Sequence, residues 1–190
     1  MRKTAIAILG VALLAGGAMA ENLLTNGDFE QPLTTGWTED VRSIAGSYRI
    51  ERTDTMGQPE PGFAAKTYKY LAYYSAINQT VDVPDVDLTL SFDGRLVIGG
   101  GSSTCWPAAA FTVHYLDDAG ASLGRTMWLN PSVYCTWTEN DTFNIILVET
   151  DGWSEYQLDI ASELSSNLPA IDAEQVAKIK VEMFSYDNGT

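Results

Sequence analysis

From residue 88 onward, apolar and polar positions alternate in short runs. Leu88, Leu90, Phe92, Leu96 and Ile98 interleave with Thr89, Ser91, Asp93, Arg95 and Val97, and Phe111, Val113 and Tyr115 with Thr112, His114 and Leu116. The same beat returns in Phe143, Ile145 and Leu147, in Tyr156, Leu158 and Ile160, and in Ile179, Val181 and Met183. A period of two puts successive side chains on opposite faces, so each run predicts a half-buried strand. Turn signals separate the runs: Gly99 to Ser103, Asp117-Asp118-Ala119-Gly120, Asn130-Pro131 and Asp151-Gly152. Residues 170–177 could make one short helical turn before the last strand. Many short strands with regular turns predict an all-β chain, an antiparallel β-sandwich or barrel, and the lack of repeats or linkers predicts one domain. The last strand runs into Asn188-Gly189, a hairpin signal without a returning strand. Either the sequence is a fragment lacking its final strand, or the last strand ends at an open edge.

The first twenty residues follow a different rule. Arg2 and Lys3 precede an apolar run from Ala5 to Leu14, and Ala18-Met19-Ala20 has the small-x-small form of a signal peptidase site. A membrane anchor needs about 20 apolar residues, and this run is shorter and interrupted by glycine. Residues 1–20 therefore read as a signal peptide and 21–190 as the mature domain, secreted or periplasmic, with no membrane insertion after cleavage.

Charge narrows the partners. The chain carries 11 basic and 25 acidic residues, a net charge of −14, and the leader takes away two of the basic ones. Such a surface repels phosphate backbones, which excludes nucleic acid as a partner. In an oxidising compartment the two cysteines, Cys105 and Cys135, predict one disulfide. Closing a loop of about 30 residues would stabilise the fold by roughly 3 to 4 kcal/mol in the chain-entropy account.

The stretch Asn22-Leu23-Leu24, Asn26-Gly27-Asp28-Phe29-Glu30, followed by Gly36-Trp37, resembles the opening of the galactose-binding-like β-sandwich, in particular the jelly-roll carbohydrate-binding modules of secreted glycoside hydrolases. Weaker matches follow at Ile77 to Val81, at Val113, Tyr115 and Asp117 with Gly120 and Leu123-Gly124, at Trp153 with Tyr156 and Leu158, and at Val176, Ile179 and Val181. The resemblance implies a jelly-roll sandwich that binds a polysaccharide or oligosaccharide. It also implies a first strand beside the last, with a structural calcium at their junction. Asp28 and Glu30 are the positions it assigns to that metal, since calcium takes hard oxygen ligands; the usual last-strand aspartate falls in the segment this sequence lacks. The alternative is a plain turn with two solvated carboxylates. Trp37 reads as a core plug.

Sugars stack on aromatic rings and bond to planar polar groups. Trp106 follows Cys105, and Tyr134 and Trp137 bracket Cys135, so a disulfide would gather three rings at one place; the alternative is a minor core around the bridge. A second candidate is an open sheet face. If Leu90, Phe92 and Leu96 point inward, Asp93 and Arg95 point outward, and the same alternation puts Trp128 opposite Met127 and Leu129 and exposes His114. Together these four could floor a cleft; the alternative is a weak Asp93–Arg95 ion pair with Trp128 packed away. Tyr68, Tyr70, Tyr73 and Tyr74 form a further aromatic segment of undecided orientation.

Enzymatic signals are poor. Gly120-Ala121-Ser122-Leu123-Gly124 matches a nucleophile elbow in letters, but the flanks are strands and His114 precedes the serine, the wrong order for that fold. One histidine and two bridged cysteines make no zinc site. A glycosidase needs only two carboxylates, and no spacing singles out a pair. The expectation is a non-catalytic carbohydrate-binding module; the alternative is a surface adhesion or self-assembling protein using the same sandwich for protein contacts.

Overall fold

In the strand Leu88–Ile98 every second residue, from Leu88 to Leu96, is buried, and in Lys178–Asp187 the same alternation runs without a break. Two sheets stacked on those buried sides make the molecule, an all-β sandwich. The structure, a computed structural model of the chain, describes residues 5–15 through their backbone, and 22–59, 62–104, 106–134 and 136–189.

Its strands are β1 (Ala5–Ala15), β2 (Thr38–Ser43), β3 (Ser47–Thr53), β4 (Ala64–Tyr70), β5 (Tyr73–Asp82), β6 (Leu88–Ile98), β7 (Pro107–Leu116), β8 (Ser122–Pro131), β9 (Phe143–Leu147), β10 (Ser154–Asp159) and β11 (Lys178–Asp187). One sheet runs β10-β6-β1-β4-β3, the other β2-β5-β11-β7-β8-β9. The pairings are antiparallel except β8–β9. Gly120 serves the turn between β7 and β8: its N–H bonds to the Asp117 carbonyl, and the serine of the elbow-like motif begins β8. The last strand is not an edge. β11 is bonded along its length to β5 and to β7, so the open-edge reading is corrected.

Between the sheets lie Leu90 and Phe92 of β6, Phe111, Val113 and Tyr115 of β7, Trp128 of β8, and Ile179, Val181 and Met183 of β11. Burial of each large apolar side chain stabilises the fold by about 1.5–3 kcal/mol. Phe92 sits 4.2 Å from Phe111 and meets the Trp128 ring edge-on at 5.0 Å, the tilted geometries aromatic quadrupoles favour.

The opening segment is a loop, not a strand beside the last one. Asn26, at φ 54°, accepts from the Gln31 N–H at 2.9 Å and donates to the carbonyls of Gln31, Pro32 and Thr35. Gln79 of β5 holds Thr25 at both its N–H (2.7 Å) and its carbonyl (2.9 Å). Gly36 is required here: its φ is 87°, and a Cβ would stand 2.8 Å from that of Thr25. Phe29 and Trp37 are buried with ring centroids 5.1 Å apart, and the Trp37 indole donates to the Asn26 carbonyl, so the tryptophan is a core plug.

Two local elements differ from expectation. The strand at Tyr156 ends at Asp159, whose carboxylate accepts from the Ser162 N–H at 2.7 Å and caps the helix α1 (Ile160–Asn167). Ile160 thus starts a helix, and buried Glu163 ties it to the sheets, accepting from Thr126 at 2.6 Å and Asn144 at 2.8 Å. Within 170–177 a single 3-10 turn forms at Ala173–Gln175, capped by Asp172.

The expected leader also enters the sheet. β1 pairs with all of β6 on one side and with β4 on the other. The Ala18-Met19-Ala20 site and Glu21 lie outside the described residues. No helix among the described residues is long and apolar enough to cross a membrane.

Candidate functional site

The six-stranded sheet is apolar on both faces. Its inner face supplies the core, while Ala108 and Ala110 of β7, Met127 and Leu129 of β8 and Phe143 of β9 form a second cluster on the outer face, against which Trp137, Ile145, Phe184 and Tyr186 pack. This follows from the sequence: β7, β8 and β9 carry apolar residues at both parities.

Strand register lays the outer face out in rows. In the first, Tyr186 stands between Tyr74 of β5 and Ala108 of β7, and the Trp106 ring lies 5.5 Å from that of Tyr186 at a 36° tilt. Trp106, Tyr186 and Tyr74 are all half-buried, so each keeps part of its ring in solvent. The Tyr74 hydroxyl donates to Asp40 of β2 at 3.2 Å; burial and then the nearby Asp40 carboxylate push that phenol above its usual value. In the next row Phe184 is flanked by Ala76 and Ala110, small residues that leave room above the sheet. Asn78, Glu182 and Thr112 share the third row. Thr112 is fully buried, and its hydroxyl has no partner among the described residues.

The far end is charged. His114 Nε2 lies 3.3 Å from Glu182 Oε1, and Lys180 Nζ lies 3.0 Å from Oε2. Burial disfavours the Glu182 anion, but the hydrogen bond of His114 and the ammonium of Lys180 outweigh it and hold the carboxyl at about 2. Burial pushes His114 below its usual value despite Glu182, so the imidazole is neutral at pH 7. On the β8–β9 side a cleft of about 350 Å³ is lined by Leu129, Pro131, Trp137, Ile145 and Leu147 with Thr136 and Glu139.

Of the residues expected to bind sugar, Trp106 and Trp137 reach this face, and Tyr134 is 49% exposed in the loop beside it. Cys105 and Cys135, with their predicted disulfide, lie outside the described residues. Trp128 is corrected: it is 3% exposed, among Phe92, Phe111 and Tyr156. The pairing of Phe111 with Trp128 turns the indole inward and Met127 and Leu129 outward, because both faces of β8 are covered and apolar content could not tell them apart. The four-residue cleft is corrected too. Asp93 and Arg95 project from the outer side of the five-stranded sheet, His114 from the outer side of the other. Arg95 is not ion-paired with Asp93 but donates to the Asp151 carbonyl at 2.7 Å.

Asp93 instead joins Asp28 and Glu30 in a cleft of about 790 Å³, with Asp54, Glu155 and Phe63. Asp93 and Glu155 are cross-strand partners of like charge, an arrangement that costs stability. Neither of the cleft's aromatic rings is free: Phe92 is buried in the core, and the Arg52 guanidinium lies 3.7 Å over Phe63. The same guanidinium donates to the carbonyls of Phe29 and Glu30, and Asp28 accepts from the Glu30 N–H. The Phe29 and Glu30 carbonyls are thus bound to a cation, and no three His, Cys, Asp or Glu side chains among the described residues group as metal ligands do.

Tyr186, Phe184, Glu182 and Asp40 were not foreseen as a site, and Tyr74 only as one ring of a segment of undecided orientation. The alternation of β11 carried the signal for the first three, because the positions out of step with Ile179, Val181 and Met183 are the charged Lys180 and Glu182 and the aromatic Phe184 and Tyr186.

No family profile and no curated protein matches the sequence. Among solved structures, the enzymatically active domain of bacteriophage CBA120 tailspike protein 4 aligns at TM-score 0.32 and 12% identity, over 86% of this chain and 19% of that one. The chain therefore spans about a fifth of that protein. A family 11 carbohydrate-binding module from Clostridium thermocellum, in complex with a β-1,3-1,4-mixed-linked tetrasaccharide, aligns at TM-score 0.25 and 11% identity, over 95% of this chain and 93% of that one. At such scores the sandwich assignment rests on the sheets themselves.

Proposed function

We propose that this chain is an exported carbohydrate-binding module that holds a polysaccharide or oligosaccharide on the outer face of its six-stranded sheet without acting on it. The observation that carries the reading is the half-buried ring row Trp106–Tyr186–Tyr74 running into Asp40, Asn78 and Glu182. Tyr186 and Tyr74 are fixed by strand pairing and Trp106 is held by its main-chain N–H bond to Asn188, so little freedom is lost when a pyranose stacks on them, while the adjacent carboxylates accept hydroxyl hydrogen bonds and the amide accepts or donates them. The acidic cleft on the other sheet offers carboxylates without a free ring and serves this role less well.

A glycan array, followed by retention on the best glycan for wild type, Trp106→Ala and Tyr186→Ala, tests the reading. Retention should fall in both variants with the melting temperature nearly unchanged; retention equal to wild type in both removes the site. The same glycans incubated with the protein should yield no new reducing ends, and their appearance would make the chain an enzyme. A second reading, adhesion through protein contacts, draws on Val133 (91% exposed), Leu147 (62%) and Tyr134 beside the Trp137 cleft. Self-association in gel filtration with no glycan bound on the array would favour it. Export with removal of residues 1–20 is part of the proposal, and an N-terminus at Glu21 on the exported protein is its readout.

A further inference from the structure

The five-stranded sheet has the leader in its interior. β1 pairs with β6 from Ala5↔Ile98 to Ala15↔Leu88 and with β4 from Ala5↔Lys69 to Leu9↔Ala65, antiparallel to both. Removing residues 1–20, as the export reading requires, takes a strand from between two strands that stay behind. Neighbouring strands lie about 4.8 Å apart, so the gap would be about 10 Å wide, the room for one strand. Both of its walls would expose unpaired N–H and C=O groups.

Those walls are pinned to the opposite sheet and are poorly placed to close on each other. On one side, Phe92 of β6 is held against Phe111 and Trp128. On the other, Thr67 of β4 bonds to Ser185 of β11 at 2.9 Å, fully buried, and the buried Lys69 ammonium bonds to Ser43 and to the Ala45 carbonyl, both at 3.1 Å. Moving β4 toward β6 would break these contacts.

We infer that the gap between β4 and β6 is a receiving slot for a β-strand donated by a partner protein, and that the leader occupies it until cleavage. Recognition by strand addition draws affinity from main-chain hydrogen bonds and specificity from alternate side chains. Here the incoming strand is paired on both edges over the rows of Ala5–Leu9 and with β6 alone beyond them, which exceeds ordinary edge addition in that half. Register fixes the chemistry of the guest. Positions sharing rows with Leu90, Phe92 and Leu96 face the core and must be apolar, as in the leader, where Leu13, Val11 and Ala7 hold those places. The position of Ile8 shares its row with Lys66 and Arg95 on the outer side. Lys66 is already paired with Glu51 at 3.0 Å, so a carboxylate there would meet chiefly the Arg95 guanidinium, and the favoured guest is an apolar strand of about eleven residues with one acidic residue at that row.

The inference rests on leader removal but not on sugar binding, and its test separates the two. The purified full chain is cut between Ala20 and Glu21 in vitro. The cut protein is then titrated with a labelled synthetic strand of sequence Ala5–Ala15 carrying Ile8→Glu or Ile8→Lys. Fluorescence anisotropy, native mass spectrometry and amide exchange are the readouts. The slot predicts displacement of the leader, one strand per chain, protection of amides 65–69 and 88–98 on binding, and at least several-fold tighter binding for the glutamate strand. If the cut chain unfolds when its leader leaves, refolding on addition of the strand supports the slot and failure to refold overturns it. Protected 88–98 amides with no strand bound, pairing of cut chains with one another, a leader that excess strand cannot displace, or equal binding of the two strands each overturn it. Glycan retention on the same samples reports the other face separately.

Discussion

Two aromatic clusters sit on the two sides of the six-stranded sheet. Inside, Phe92, Phe111, Trp128 and Tyr156 lie within ring contact of one another and are held from both sheets. Outside, Tyr186, Phe184 and Trp137 pack on Ala108, Ala110, Met127, Leu129 and Phe143 of one sheet only, and Trp106 packs on Tyr186. The residue types are the same, and so is the strand alternation. The difference is the second layer: a ring packed from both sides contributes stability, while one packed from below keeps a face that a ligand can use.

Removing the inner indole should separate the clusters most sharply. Trp128→Ala leaves a cavity in the shared core and should cost about 3–5 kcal/mol, read as a lower midpoint in urea at unchanged slope. An effect under about 1 kcal/mol would mean the inner cluster is no more structural than the outer one.

Acid should reveal the charged end of the outer face. His114 and Glu182 both bind protons less readily folded than unfolded, so both favour the fold at high pH and lose that contribution as pH falls. The histidine share fades below its ordinary 6.5, and the glutamate share between 4.5 and about 2. Unfolding measured across this range should show the second decline in wild type and its absence in Glu182→Gln.

On the outer row, Tyr186→Ala should weaken glycan retention about tenfold, equivalent to ~1.4 kcal/mol, while stability changes by less than the Trp128 variant shows. Equal losses of stability in both would erase the distinction between the clusters. The smallest effect belongs to Arg95→Ala, which removes one partly exposed hydrogen bond to the Asp151 carbonyl. It should cost about 1 kcal/mol or less and leave retention unchanged, because Arg95 lies on the other sheet.

How much of this was legible depends on what each strand faces. β6 and β11 have one covered side, and their alternation told inside from outside correctly: Asp93 and Arg95 do point away from the core. β8 is covered on both sides, and there the inference failed, placing Trp128 outward when Phe111 holds it inward. β9 misled in the same way, since Phe143 and Ile145 belong to the outer cluster and Ile146 and Val148 to the inner one. The helix at Ile160 was hidden because Tyr156, Leu158 and Ile160 continue a strand beat across the Asp159 cap.

The sequence by itself determined an all-β chain, since a period of two is a local property of neighbouring side chains. It also determined the plugged turn at Asn26 to Trp37, whose bonds are mostly short-range. Only the tertiary structure decided that His114 and Asp93 lie on opposite sides, that Tyr74 pairs with Tyr186, and that residues 5–15 have a place in a sheet. Those facts depend on which strands become neighbours, and strand pairing joins residues far apart in the chain through main-chain bonds that every sequence shares.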